Sequence, residues 1–319
     1  MVLVEHLTKY YGDHLAVDDI SFQISEGHVY GFLGPNGAGK STTMNIITGC
    51  LAATKGTVRI DGYDIFENPN EAKQRIGYLP EHPPLYLNET PYEYLRFVGE
   101  AKGLRGAALE EQVSQAIVKT GLDHMKNRRI QNLSKGYKQR VGIAQALLGN
   151  PKVIILDEPT VGLDPIQIIE IRDLIRELGK KHTVIFSSHI LSEVQTICDR
   201  ILMIAKGKLV AFGAPEELQA KLLSHRISLT TDATEEQLRA LLSGVDNIAS
   251  LEISQAEGRT QATVQSDRED IYAMSADIFR AVSEKGHILY EMSLKKGSLE
   301  DIFLGLSAST TKESEDTQK

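Results

Sequence analysis

The chain predicts an α/β fold on a parallel sheet, followed by a smaller α+β unit, on the strength of three observations. A short apolar strand runs into a glycine-rich turn and then a helix-compatible segment. Two buried-strand candidates flank a helix in the βαβ rhythm of a parallel sheet. Beyond about residue 225 the pattern becomes βαββαβ, a ferredoxin-like order. The 319 residues, 41% apolar and 24% charged, accommodate one large and one smaller domain with a sizeable core. Apolar runs recur along almost the whole chain, which excludes a collagen-like, low-complexity or wholly disordered protein.

The first 66 residues read as short strands and turns, with β-branched or alternating residues at 2–5, 21–24 and 57–60. HVYGFL, residues 28–33, is the strand before the glycine-rich turn, and residues 40–48 are the helix after it. Across 91–120, Leu95, Val98, Ala101, Val113, Ala116 and Ile117 recur at three- and four-residue steps, which predicts an inserted helical subdomain. VIIL (153–156) and TVIF (183–186) are buried strands on either side of a helix over 165–179. Residues 201–204 and 208–211, joined by Ala-Lys-Gly, predict a hairpin. The second unit has strands near 226–230, 248–253, 260–264 and 288–292 and helices near 235–242 and 269–284. An amphipathic segment over 298–306 leads into a tail without apolar residues beyond Ala308, which is expected to be disordered. There is no internal repeat.

No stretch approaches the roughly 18 consecutive apolar residues that a membrane-spanning helix needs. The N-terminus MVLVEHLTKYYGDH lacks the regions of a secretory signal, so a cytoplasmic location is expected. Cys50 and Cys198 match no metal or redox spacing and read as buried free thiols of a reducing compartment. With 35 basic against 43 acidic side chains the net charge is −8, and no nucleic-acid partner is expected.

The turn after residue 33 is Gly34-Pro35-Asn36-Gly37-Ala38-Gly39-Lys40-Ser41, followed by Thr42. It satisfies the P-loop pattern: backbone N–H groups and a helix N-terminus cradle phosphates, Lys40 reaches the β and γ groups, and Ser41 holds Mg²⁺. Asp157 and Glu158 end the run VIIL, at the carboxyl end of a strand where α/β sheets bind ligands. Asp157 can reach Mg²⁺, and Glu158 can orient or deprotonate the water that attacks a γ-phosphate. Ser134 in LSKGYKQR reads as a helix N-cap. By itself His189 reads equally well as a satisfied histidine at a strand end.

Taken in order, LSKGY, VIILDEPT, Gly162-Leu163-Asp164 and the histidine after TVIFSS make residues 2–218 resemble the ATP-binding cassette (ABC) ATPases. They correspond to the signature LSGGQ, the Walker B segment, the D-loop and the switch histidine of that family. The resemblance implies a RecA-like parallel core sheet, an antiparallel β subdomain and an inserted α-helical subdomain. It also implies a head-to-tail dimer that sandwiches two Mg-ATP, with Ser134, Lys135, Gly136 and Asp164 acting on the partner chain's nucleotide. By the same resemblance Tyr11 stacks on adenine, Thr42 assists at the phosphates, and His189 senses the γ-phosphate beside the catalytic Glu158. Ser41, Asp157 and Glu81 are the implied Mg²⁺ ligands. Glu81 stands where most of the family carries glutamine; a carboxylate also ligates Mg²⁺ but cannot donate a hydrogen bond.

A cassette without membrane spans needs separate permease subunits. The chain looks like the detached ATPase subunit of an ABC-2-type exporter, similar to gliding-motility-associated and multidrug-type ATPases, on the cytoplasmic face of the membrane. The implied organisation is a nucleotide-binding domain over 1–218, a ferredoxin-like accessory domain over 219–306 and a disordered tail over 307–319. The alternative is a non-transport ABC ATPase acting on the ribosome or DNA, whose members usually carry paired cassettes or long insertions that this chain lacks.

Overall fold

In the computed structural model, which describes residues 1–221, 225–256, 258–266, 268 and 270–295, β1 (Val2–Tyr11) and β2 (His14–Ile24) form an antiparallel hairpin. Both strands are longer than the sequence suggests. His6 and Asp19 adopt left-handed φ values of 51° and 47°, and the shifted register there breaks the alternation that marks a strand. β3 (Val29–Leu33), buried at every position, leads into α1 (Lys40–Ile47). β4 (Lys55–Ile60) and β5 (Tyr63–Asp64) complete an antiparallel sheet in the order β2-β1-β4-β5.

α2 (Pro69–Lys73) precedes β6 (Ile76–Leu79), a strand of four residues whose central Gly77 hides it from sequence patterns. Gly77 is needed because a Cβ there would run into the carbonyl of Ala146. The helical stretch over 91–120 is two helices, α3 (Pro91–Ala101) and α4 (Gly106–Lys119), parted at Gly103 with φ 90°. Thr90 and Glu93 form a capping box at the start of α3. α5 (Lys135–Leu147) packs on both helices and starts at its N-cap Ser134.

β7 (Val153–Leu156), α6 (Pro165–Gly179) and β8 (Thr183–Ser188) are the βαβ unit, followed by α7 (Leu191–Ile197) and the hairpin β9 (Arg200–Ala205) and β10 (Lys208–Gly213). The core sheet has the order β10-β9-β3-β8-β7-β6, parallel except for β10 at its edge. Between this sheet and β1, β2, β4 and α1 lies a continuous apolar core, in which Phe22 and Phe32 meet edge to face with ring centroids 5.6 Å apart. Cys198 is buried, and its surroundings raise the thiol pKa. Cys50 is exposed, against the expectation of two buried thiols, because α1 ends at Ile47 and Gly49, with φ 67°, turns the chain outward.

The chain divides into two compact units between Pro215 and Glu216, at the start of α8 (Pro215–Lys221). The second unit runs β11 (His225–Thr231), α9 (Glu235–Leu242), β12 (Ile248–Ala256), β13 (Arg259–Ser266), α10 (Ile271–Ser283) and β14 (Leu289–Lys295). Its sheet is wholly antiparallel in the order β12-β13-β11-β14. Ile227, Leu229 and Val264 of the sheet pack against Leu238, Met274 and Ile278 of the two helices. The expected segments 298–306 and 307–319 lie outside the described residues. Among the described residues no helix is long and apolar enough to cross a membrane.

Gly31 in β3 lies against α7, where a Cβ would come within 2.7 Å of Cys198 Sγ and overlap Val194. Gly31→Ala is expected to destabilise this unit by about 1–3 kcal/mol through overpacking. Urea denaturation followed by circular dichroism measures it, and an unchanged midpoint would show that α7 can retreat from β3 freely.

Candidate functional site

Parallel pairing sets Leu33 opposite Ser188, Leu156 opposite Phe186 and Leu79 opposite Leu156, so the carboxyl ends of β3, β6, β7 and β8 reach one edge of the sheet. Gly34, Glu81, Asp157 and His189 follow those ends in the chain. A cavity of about 440 Å³ opens there, lined by residues 36–42 of the glycine-rich turn and by Tyr11, His14, Ala16, Glu81, Glu158, Val161 and His189.

The turn is shaped by its glycines. A Cβ at Gly34 would meet the carbonyl oxygen of Ile204, and one at Gly39, where φ is 104°, would lie 2.6 Å from the carbonyl oxygen of Ala16. Gly39 is the N-cap of α1 and has no side chain to satisfy the first helical N–H groups, which leaves the positive end of the helix free for an anion. Lys40 is buried and donates to Gly34 O at 2.8 Å and Pro35 O at 3.2 Å. Burial lowers its pKa, opposed first by Glu158, whose Oε1 lies 3.5 Å away, and more weakly by Asp157 and Glu81.

Two serine hydroxyls hold Asp157. Ser41 donates to its Oδ1 at 3.2 Å and Ser187 donates to the same oxygen at 2.6 Å. Ser187 Oγ also accepts the backbone N–H of Glu158 at 2.8 Å. Glu158 has a left-handed φ of 46°, a conformation that costs a non-glycine residue about 1–3 kcal/mol and persists only where neighbours hold it. Its Oε2 lies 3.0 Å from His189 Nδ1. A buried carboxylate beside a half-buried histidine, across from a lysine and a free helix N-terminus, can bind a polyphosphate and take a proton from a nearby water.

Tyr11, half exposed at the end of the β1–β2 hairpin, lines the cavity. Pro35 contributes its carbonyl, and Asn36, Gly37, Ala38 and Thr42 face the cavity. Ser134, Lys135, Gly136 and Asp164 do not line it. They form a second cluster: Ser134 caps α5, Asp164 caps α6 by accepting from Gln167 N at 2.9 Å, the Gln167 side chain lies over Gly136, and Lys135 lies against Gly162. Ser187, Thr160, Glu193 and Arg172 are neighbours of the site that were not singled out from the sequence. For Ser187 and Thr160 the sequence signal is a polar residue inside or just after an apolar strand, where it must find a partner; Glu193 and Arg172 lie in helices and carry no such signal.

Residues 17–161 match the ABC transporter family model. The chain is 33% identical to the uncharacterized ABC transporter ATP-binding protein YxlF of Bacillus subtilis, over 95% of this chain and 98% of that one. It is 31% identical to the linearmycin resistance ATP-binding protein LnrL of the same organism, over 98% of this chain and 100% of the relative. Among solved structures, the dimeric post-hydrolysis state of the ATP-binding cassette MJ0796 bound to ADP and Pi superposes with a TM-score of 0.61 at 27% identity. That match covers 67% of this chain and 98% of that one. Likeness carried over nearly the whole length of both curated relatives settles the family: the chain belongs to the ABC transporters, as an ATP-binding subunit that hydrolyses ATP for transport.

Proposed function

We propose that two copies of this chain close head to tail around two Mg-ATP and drive export through separate permease subunits at the cytoplasmic face of the membrane. One observation carries this reading. Ser134, Lys135, Gly136 and Asp164 sit outside the cavity that holds the P-loop of their own chain, so they reach a nucleotide only across an interface. The relation to a linearmycin resistance protein supports export, in the ABC-2-type or multidrug-type class. Exposed Tyr86, Leu87 and Phe97, with the Tyr86 ring edge-on to Tyr94 and tilted against Phe97, support a protein partner on the helical subdomain.

In this reading the amides of the turn and of the first turn of α1 take the phosphates, with Lys40 and Thr42 beside them and the Tyr11 ring under adenine. Ser41, Asp157 and Glu81 would hold Mg²⁺. The fit is chemical, since the Ser41 hydroxyl and the Asp157 carboxylate already share a hydrogen bond and supply the hard oxygen ligands that Mg²⁺ prefers. The ion, when bound, neutralises charge on the phosphate oxygens. Glu158 orients the attacking water and accepts its proton, while His189 contacts the γ-phosphate. The ATP-bound closed dimer and the open one differ in affinity for nucleotide, and that difference moves the permease.

Residues 1–218 are then the nucleotide-binding domain and 307–319 a tail. Residues 219–306 are a ferredoxin-like accessory domain, a reading supported by the antiparallel order β12-β13-β11-β14 of a split βαβ pattern.

Glu158→Gln is expected to bind Mg-ATP normally and to lose steady-state turnover by about two to four orders of magnitude. Hydrolysis near the wild-type rate would remove Glu158 from the base role. Ser134→Arg is expected to leave ATP binding by the monomer intact and to abolish ATP-dependent dimers; light scattering that still shows dimers would refute the head-to-tail arrangement. Glu158→Gln, purified from its own cells in mild detergent with Mg-ATP, is expected to retain a polytopic membrane protein. Ribosomal proteins or nucleic acid in its place would replace the exporter reading.

A further inference from the structure

Behind the catalytic edge, Glu193 in the first turn of α7 is 1% exposed and carries no role in the reading above. Its Oε2 accepts from Thr160 Oγ1 at 2.9 Å and from Ser188 Oγ at 2.8 Å. Its Oε1 faces Arg172 Nη2, on α6, at 3.3 Å. Thr160 stands two residues after Glu158, Ser188 immediately precedes His189, and α6 begins beyond its N-cap Asp164. One buried carboxylate thus ties together the stretches that carry the base, the switch histidine and the D-loop.

We propose that Glu193 is a positioning residue for ATP hydrolysis, clamping the backbone on either side of the Glu158–His189 pair and linking both to the helix that follows Asp164. The clamp rests on the roles assigned above to Glu158 and His189. Glu158 keeps its left-handed backbone only if the residues around it are fixed: its N–H donates to Ser187, and its carbonyl accepts from Val161 N–H at 3.2 Å in the turn that contains Thr160. Glu193 anchors that turn through the Thr160 hydroxyl. Ser188 carries a double load: its hydroxyl donates to Glu193 and accepts the N–H of Ile190 at 3.0 Å, so the turn that bears His189 is anchored to the same carboxylate. A charged acceptor makes each of these bonds stronger than a neutral pair would be, and burial removes water as a substitute partner. Arg172 supplies the counter-charge, so a displacement of α6 at an interface and a displacement of the catalytic pair are mechanically joined.

Thr160→Val keeps the shape of the side chain and deletes one clamp bond; Ser188→Ala and Glu193→Gln are companion variants, the first of these keeping the carboxylate intact. In full-length protein, turnover of Mg-ATP by Thr160→Val is expected to fall roughly tenfold, the value of one charge-assisted hydrogen bond. Affinity for trinitrophenyl-ATP, read by fluorescence, is expected to stay within about threefold, because the P-loop is untouched. Introduced into Glu158→Gln and followed in single-turnover experiments over hours, Thr160→Val is expected to add no further loss, since it acts through the missing carboxylate. A merely structural role predicts other outcomes: turnover and nucleotide affinity falling together, or the same loss in both backgrounds, and either overturns the proposal. So does wild-type turnover in Thr160→Val and Ser188→Ala alike. Should Glu158→Gln alone prove fully active, the base assignment fails instead, and the split between turnover and affinity in Thr160→Val and Ser188→Ala decides the clamp by itself.

Discussion

Because Leu33 pairs with Ser188, Leu156 with Phe186 and Leu79 with Leu156, four parallel strands release their chains at one edge, and the chemistry gathers there without any long-range adjustment. A slip of one residue in β7 would turn Asp157 to the opposite side of the sheet and separate it from Ser41 and Ser187. The register is protected by packing on both faces, since β3, β7 and β8 are buried at every position. Gly31 and Gly77 let α7 and α5 come close to the sheet, and those helices carry Glu193 and, at the start of α5, Lys135 and Gly136.

The second condition is that buried charge be held without water. Lys40, Asp157, Glu158 and Glu193 are all nearly inaccessible, and removing such ions from water costs several kcal/mol apiece unless partners replace the lost hydration. The replacements are local and short-ranged. Loop carbonyls and Glu158 serve Lys40, serine hydroxyls serve Asp157, and a threonine and a serine hydrogen-bond Glu193 Oε2, while its Oε1 has the charge of Arg172 beside it but no hydrogen bond among the described residues. The left-handed backbone at Glu158 belongs to the same pattern: the strain is local, and Ser187 on its N–H and Val161 on its carbonyl, in a turn anchored through Thr160, hold it in place.

What the sequence made legible was the part governed by contiguous pattern. The glycine-rich turn, the acidic pair after VIIL and the βαβ rhythm all lie within short windows, so local rules find them. Tertiary constraints lay beyond those rules. β6 is four residues long with a glycine in its centre, β1 and β2 continue through bulges that interrupt alternation, and Cys50 is exposed by a glycine turn rather than by its own polarity. Glu193 shows the limit most plainly: it reads as an ordinary acidic residue in the first turn of a helix, and only the fold brings Thr160, Ser188 and Arg172 around it.

Glu81 sharpens the electrostatic logic of the cavity. A glutamine there would be neutral and able to donate, whereas the carboxylate brings a third negative group, beside Asp157 and Glu158, toward the single ammonium of Lys40. Helix α1 contributes the equivalent of about half a positive charge at its N-terminus, which does not cancel the excess. A polyphosphate entering by itself would meet net repulsion, screened in part by water because Glu81 is exposed. In the proposed assignment a nucleotide that arrives with a divalent cation would reverse the balance, because the cation would turn the carboxylates from an obstacle into ligands. Under the proposed assignment of Glu81 as a metal ligand, the departure from glutamine would strengthen the dependence of the site on the metal-bound form of its substrate, and would leave to the backbone amides the hydrogen-bond donation that Glu81 cannot supply.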